Sequence, residues 1–369
     1  MSGATMRKAV ETARAEVVLI FPAGLPDSQK FRAEAKARGQ AVVGASSLSF
    51  DAAAQAYDAW ETLPYIHDPA FAARLAAVVA RHRVTAIYAP HEVISGVLGD
   101  ILPSVAPGVR LIDPNPLKKI ELAYRDRLHE ATEASAAAWF DLPGGRPPLT
   151  PIARAGVLRL VETISGMTDG DKIDAIIEAM GHAPDGDLVE IGSWWGRSAA
   201  VLVLLARYWG IGKLLCVDPW HEAYLDQGVE ILDRASARMD NDFAHAIFQI
   251  NLAPIAGGAL NFIRGPSSEA ARRYGPGLAL ESETFGRTEY EGRIAFLHID
   301  GNHTYENAKA DALAWTPHVK PGGWIVFDDY VWAFGDGPRR VGDEFLASEA
   351  ERIALSFVIG TALFVRLKA

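Results

Sequence analysis

The sequence predicts an α/β protein of two units, the second and larger built on a mostly parallel, seven-stranded sheet. Three observations carry this expectation. Short apolar runs alternate with helical patterns along most of the chain, as strands joined by covering helices require. A Pro/Gly-rich stretch, Asp-Leu-Pro-Gly-Gly-Arg-Pro-Pro-Leu-Thr-Pro at 141–151, interrupts that alternation and cannot continue a helix. The last two runs, 353–359 and 362–367, are separated only by Gly360 and Thr361, the chemistry of a two-residue hairpin that adds an antiparallel edge. The expected organisation is a smaller α/β domain over 1–140, a linker over 141–152 and a larger domain over 153–369.

In the first unit the candidate strands are 16–21, 41–44, 84–88 and, more weakly patterned, 109–112, with helices at 28–38 and 69–82. The Phe-Pro-Ala-Gly turn at 21–24 follows the first strand, and with a single glycine it reads as a structural turn rather than a phosphate cradle. The second unit opens with helices near 155–166 and 172–180. Its first strand, 188–191, is followed by a helix at 197–209. The next strands are 213–217, 259–264, 294–299 and, after the Pro-Gly-Gly turn at 321–323, residues 323–327.

Composition narrows the function. At 369 residues the chain can bury two sizeable cores, and 49% hydrophobic with 22% charged residues is ordinary for a soluble globular protein. The net charge is −10, and no Lys/Arg-rich run stands out, so neither nucleic acid nor an anionic membrane is an expected partner. The lone cysteine, Cys216, lies in an apolar run and reads as a buried structural thiol; it excludes an internal disulfide and a cysteine-based zinc site. No stretch has signal-peptide or membrane-spanning character, which makes a cytoplasmic protein the expectation.

The chemistry concentrates at strand ends. Val-Glu-Ile-Gly-Ser-Trp-Trp-Gly at 189–196 places Gly192, Ser193 and Gly196 in a strand–loop–helix setting. Glycines there let the backbone approach a ligand, and the following helix directs unpaired N–H groups at the loop. Glu190 could accept from an ammonium or a ribose, Asp218 at the next strand end could hold ribose hydroxyls, and Ser267 or Ser268 could lie near an adenine. The glycine pattern alone is weak, and a turn that binds nothing is the plain alternative. Its context and Asp218 make nucleoside binding the better reading.

A second constellation follows. Phe-Leu-His-Ile-Asp-Gly-Asn-His at 296–303 ends one strand on Asp300 and His303, and Trp-Ile-Val-Phe-Asp-Asp at 324–329 ends the next on Asp328 and Asp329. Three carboxylates on neighbouring strand ends repel one another unless a cation or protons compensate. Hard oxygen ligands favour Mg²⁺ or a similar divalent ion, and a metal plus a histidine base is what a hydroxyl needs to become a nucleophile. The alternatives are a solvated acidic rim and a structural histidine. His298 points into or beside the sheet and is no candidate. Trp194, Trp195, Trp220 and Tyr330 could wall the pocket, and residues 224–250 and 278–293 are placed to cover it.

From about Thr168 onward the sequence resembles class I S-adenosylmethionine (SAM) dependent methyltransferases, with their Rossmann-like sheet. The motifs at 300–305 and 328–330 resemble metal-dependent O-methyltransferases of macrolide and related sugars. That resemblance implies Mg²⁺ on Asp300, Asp328 and Asp329 and a general base at His303, where catechol-type relatives carry lysine. The first third is weakly similar to the domain preceding the ATP-binding core of ATP-grasp enzymes, through 65–71 and 114–120; a different domain follows here, so ATP binding is not carried over. The expectation is a SAM-dependent, metal-assisted O-methyltransferase acting on a small-molecule or sugar hydroxyl, with a first unit that could support a homo-oligomer. The competing readings are a SAM-binding regulatory or assembly protein without catalysis, and another metal-dependent enzyme on the same scaffold.

Overall fold

The computed structural model describes residues 16–112, 116–136, 140, 142, 144–236 and 238–369. Residues 1–15 and 113–115, with Pro114 and Asn115 of one sequence motif, lie outside them, as do Asp141 and Pro143. The chain divides into two compact units, Met1–Asp126 and Arg127–Ala369.

The first unit runs β1 (Val17–Ile20), α1 (Pro26–Ala37), β2 (Ala41–Ser46), β3 (Trp60–Thr62), α2 (Phe71–His82), β4 (Ala86–Tyr88), α3 (Glu92–Val105) and β5 (Arg110–Ile112). Its five strands are all parallel in the order β3-β2-β1-β4-β5. A parallel sheet is covered on both faces, so β1 is the unbroken apolar run Val-Val-Leu-Ile, with Leu19 and Phe21 in one core and Val18 and Ile20 in the other. The 21–24 turn is held internally, Ser28 Oγ donating to Pro22 O and Gln29 Nε2 to Ala23 O. Strand β3 and helix α3 lie outside the sequence expectation.

Helix α4 (Pro116–Ala136) contains the division between the units, upstream of the 141–152 stretch expected to separate the domains. That stretch is fastened within the second unit: the Phe140 ring lies 5.6 Å from Trp324 and 5.2 Å from Phe357, and Trp209 Nε1 donates to Pro147 O at 3.0 Å.

The second unit continues with α5 (Pro151–Glu162), α6 (Gly170–Gly181), β6 (Asp187–Ile191), α7 (Arg197–Trp209), β7 (Leu214–Asp218), α8 (Glu230–Ser236), α9 (Asn241–Ala256), β8 (Leu260–Arg264) and α10 (Ser267–Arg273). It closes with β9 (Ala279–Ser282), β10 (Gly286–Glu289), β11 (Ile294–Ile299), α11 (Tyr305–Trp315), β12 (Val319–Phe327), α12 (Gly337–Ser348), β13 (Ile353–Ile359) and β14 (Ala362–Leu367). Seven of these strands form one sheet in the order β13-β14-β12-β11-β6-β7-β8. β14 is antiparallel to both of its neighbours, so β13 runs with the parallel strands. The antiparallel strand is therefore second from the edge and not the edge itself.

Strand alternation sorts the sheet into two cores. Leu188, Cys216, Phe296, Trp324 and Val326 face one side with α6 and α7; Val189, Ile191, Leu215, Leu297 and Ile325 face the other with α10 and α11. Strand β6 lies between β7 and β11, where the chain's winding reverses, and a crevice opens there at the carboxyl ends of parallel strands. Each acid singled out in the sequence lies at or just before that end.

Candidate active site

The glycine loop after β6 is shaped by close approach. Gly192 has φ +82, and a Cβ there would fall 1.9 Å from the carbonyl oxygen of Asp300 on the neighbouring strand end. Only glycine permits this contact, which brings the two sequence motifs together. Gly196, at φ +87, begins α7. Three non-glycine residues at the carboxyl end of this sheet also adopt positive φ: Trp194 (46°), Trp220 (39°) and Asp329 (51°). Strain of this kind persists where surroundings over-determine it, and it clusters at functional sites.

Asp218 supplies much of that determination. Its Oδ2 accepts the N–H groups of Ser193 (3.0 Å) and Trp194 (2.9 Å), and its Oδ1 accepts that of Trp220 (2.7 Å). Trp220 Nε1 then donates to Trp194 O at 2.8 Å. Asp218, expected on ribose hydroxyls, is thus turned onto the loop as its clamp. Glu190 is fully buried and turned toward His298, with Oε1 3.2 Å from Nδ1, because its position on β6 faces the α6 and α7 side. Ser267 Oγ accepts from Trp315 Nε1 at 2.7 Å, within the packing of α10 on α11, and Ser268 is exposed.

Beneath the loop runs a buried polar chain. His298 Nε2 lies 3.0 Å from Asp328 Oδ2, and Lys172 Nζ reaches Asp328 Oδ1 at 2.9 Å and Oδ2 at 2.7 Å. Glu190, His298, Asp328 and Lys172 are each 3% exposed or less. Burial alone would lower the His298 and Lys172 pKa values, but Asp328 with Glu190 pushes His298 up to about 10, and Asp328 with Asp300 raises Lys172. Burial would raise Asp328, yet His298 and Lys172 hold it well below the usual carboxylate range. His298 and Lys172 were outside the candidate set. The available signal was position: Lys172 shares a helical face with Ile176 and Met180, and His298 interrupts an apolar strand, so both needed buried partners.

The open part of the site is the turn after β11. His303 Nε2 lies 3.0 Å from Asp329 Oδ2 and 3.8 Å from Asp300 Oδ1. Its backbone N–H donates to Gln227 Oε1 (2.8 Å), and Asn302 Nδ2 donates to Asp226 O (2.6 Å). Residues 224–227 are therefore fastened to this turn, as expected of a covering segment. Residues 278–293 are not: β9 and β10 pair as a hairpin at the opposite end of the sheet, where Thr288 Oγ1 donates to Leu260 O and Tyr290 OH to Leu214 O. Of the four aromatics proposed as walls, Trp194 is open at 39% exposure, whereas Trp220 is buried against His245 and Phe248. Trp332, not among the candidates, sets its ring 4.7 Å from that of His303.

Burial would lower the His303 pKa, but Asp300 and Asp329 outweigh it and push it up to about 9. Asp300 is raised to about 6, first by burial and then by the charge of Asp328. The donor atoms of Asp300, His303 and Asp329 all lie within 4.8 Å of one another, and neither His303 ring nitrogen has a well-aligned hydrogen bond. Two carboxylates and an imidazole with unsatisfied nitrogens fit a divalent cation. The expected trio of Asp300, Asp328 and Asp329 is divided between two clusters that share Asp300: the ligand atoms of Asp300, Asp328 and His298 also lie within 4.8 Å of one another, and there Asp328 is paired with Lys172 and His298.

Residues 189–330 match the family model described as a methyltransferase domain. The match begins on β6 and ends after the Asp-Asp turn, so it contains the glycine loop and both acidic motifs. This part of the second unit is thus similar to a methyltransferase domain. Solved structures similar to the chain include the O-methyltransferase NovP, with 15% identity over 67% of this chain and 100% of that chain (TM-score 0.39). CalS11, a TDP-rhamnose 3'-O-methyltransferase of calicheamicin biosynthesis, is 15% identical over 67% of this chain and 94% of its own (0.36). MycE from mycinamycin biosynthesis, in complex with Mg and SAH, is 16% identical over 57% and 54% (0.34). At these scores the structures carry no argument, and the methyltransferase likeness rests on the match over 189–330. No curated protein matches the chain.

Proposed function

We propose that the protein transfers a methyl group from SAM to a hydroxyl of a small molecule or sugar, with His303 as general base. The observation that carries this is the abutment of Gly192 on Asp300, which sets the nucleoside loop directly beside the His303, Asp300 and Asp329 cluster. The cofactor's reading surface is the backbone of 192–196, fixed by Asp218. In the transfer the acceptor oxygen forms a bond to the methyl carbon as the carbon–sulfur bond breaks. The hydroxyl proton passes to the His303 imidazole, leaving a methyl ether and S-adenosylhomocysteine (SAH). Asp300 and Asp329 orient the imidazole and stabilise its cationic form. A divalent ion on Asp300 and Asp329, when bound, would offset the charge that holds a proton on His303 and would acidify the acceptor hydroxyl. The similar structures NovP, an O-methyltransferase, CalS11, a TDP-rhamnose 3'-O-methyltransferase, and MycE, a methyltransferase of mycinamycin biosynthesis, agree with this reading.

The test is turnover with methyl-labelled SAM against a panel of sugar and phenol hydroxyls. The expected result is label in the product and SAH in equal amount, lost in Asp300→Asn and His303→Gln. SAH binding without label transfer to any acceptor, unchanged in those variants, would favour a non-catalytic SAM-binding protein.

A further inference from the structure

We infer that the outward face of α9 is a self-docking surface, on which a second copy of the chain packs antiparallel about a two-fold axis. The basis is the composition of α9. From Phe243 to Ala256 the helix carries no Lys, Arg, Asp or Glu, although a surface helix ordinarily keeps charged residues on its solvent side. Two apolar stripes replace that pattern. Ala244, Phe248, Leu252 and Ile255 face the core with α7, while Phe243, Ile247, Ile250 and Pro254 line the other side at spacings of four, three and four. Phe243 is 60% and Ile250 66% exposed, and Ala253 and Pro254 are exposed with them. Single exposed apolar residues need no account, but a contiguous uncharged row marks an interaction surface.

Helix α9 cannot turn to hide this row. Asn251 Nδ2 donates to Trp195 O (2.9 Å) on one flank, and Gln249 Oε1 accepts from Thr284 Oγ1 (2.5 Å) on the other. Phe248 and Leu252 press beneath the glycine loop, 3.2 Å and 3.0 Å from where a Cβ on Gly196 would stand. His245 is also turned inward, its ring 4.6 Å from that of Trp220 and 4.7 Å from that of Phe262.

The row itself identifies the occupant. Its spacing is a palindrome centred between Phe248 and Gln249. An antiparallel copy therefore sets Ile247 against the second Ile250 and Phe243 against the second Pro254, each contact being made twice, as an isologous interface requires. Charge agrees at the ends. Asp240 and Asp242 lie exposed at the start of α9, and Arg207, also exposed, donates to Ile255 O (2.6 Å) at its finish. Antiparallel pairing brings the acidic start of one helix level with the arginine of the other, whereas parallel pairing would set acid on acid. Asp242 is already held by Arg264, which leaves Asp240 as the acid for Arg207. At 16 residues α9 is about 24 Å long. One face of it falls below the ~800 Å² per partner of a standard interface, so the pairing is weak and concentration-dependent.

The experiment is analytical sedimentation of the full chain. Wild type should be monomeric at about 1 µM and dimeric at about 100 µM. Ile250→Lys and Phe243→Glu alter exposed positions, so each should keep the thermal midpoint of the dilute protein and weaken dimerisation at least about tenfold. Ile247→Glu should also be monomeric alone. Mixing it with Ile250→Lys should restore a dimer, because the register sets the new carboxylate against the new ammonium and leaves an Ile250 on an Ile247 at the second contact. A wild type that stays monomeric at about 100 µM overturns the inference and leaves the face to an occupant of different sequence. A dimer insensitive to both Ile250→Lys and Phe243→Glu, or a mixture of folded variants that stays monomeric, overturns it as well.

Discussion

A histidine accepts a proton only while its ring is neutral, and Asp300 and Asp329 favour the charged form of His303. They therefore tie its action to whatever else occupies the cluster, and each side chain should matter in turnover more than in folding. His303→Gln is expected to lower kcat by ~10²–10⁴-fold with SAH affinity essentially unchanged, as calorimetry and steady-state rates would report. An unchanged kcat would remove His303 from the chemistry. Asp311 offers a separate test, its Oδ2 lying 2.9 Å from where a Cβ on Gly301 would stand. On α11 it is 8% exposed, and burial lifts its pKa from 3.8 to about 6 against a hydrogen bond from Ser267. A carboxyl with a raised folded pKa binds its proton more tightly when folded, so its contribution to stability is present below the unfolded value and lost as pH rises through the folded one. Wild type should therefore lose about 3 kcal/mol relative to Asp311→Asn between roughly pH 4 and 6, readable in urea midpoints. Residues at this scale were only partly legible. Asp300, His303 and Asp329 stand where strand-end logic puts them, but Asp218, Glu190 and Asp328 are spent on protein partners. Those partners, chiefly Lys172 and the loop N–H groups, lie 24 to 156 positions away in sequence, and no spacing rule reveals them.

Elements were more legible than residues. Helix α7, strand β11 and the β13–β14 hairpin fall on the expected bounds, because each is an apolar run closed by glycine, acid or turn chemistry. Strand β3 escaped because Trp60, Glu61 and Thr62 form an edge whose buried Glu61 is neutralised by Arg74, Arg81 and His82, so it carries no apolar pattern. Residues 278–293, expected as a loop over the site, instead form a hairpin at the other end of the sheet, since the sequence does not give the direction in which a connection folds back. Glycine positions give an element-scale prediction. Gly210 ends α7 at φ +66 with nothing within 4 Å, so Gly210→Ala should cost about 1 kcal/mol of left-handed strain. Gly192→Ala adds a 1.9 Å clash with the Asp300 carbonyl to the same strain and should cost more than about 4 kcal/mol, with SAH binding lost. Equal costs in thermal unfolding would mean that the β6 loop and the β11 end are not in contact.

At the scale of the whole molecule, the two-unit α/β architecture and the seven-stranded sheet were readable from alternation, the Pro/Gly break and the terminal hairpin, and the described residues include no helix long and apolar enough to cross a membrane. The boundary was not readable in the same way: the Pro/Gly-rich stretch breaks helices, but Phe140 and Pro147 fasten its surroundings to the second unit, so composition marked a turn in the chain and not the division in α4. A net charge of −10 also sets an expectation for partners: a neutral or cationic small acceptor meets no long-range repulsion, whereas a polyanion does. The proposed nucleoside site lies at the carboxyl end of one sheet. The most direct measurement is thermal unfolding of the full chain with and without SAH. At ~100 times its dissociation constant SAH should add about 2.7 kcal/mol of stability, and Gly192→Ala should abolish the gain. A midpoint unmoved by SAH or SAM at millimolar concentration would contradict the account at its centre.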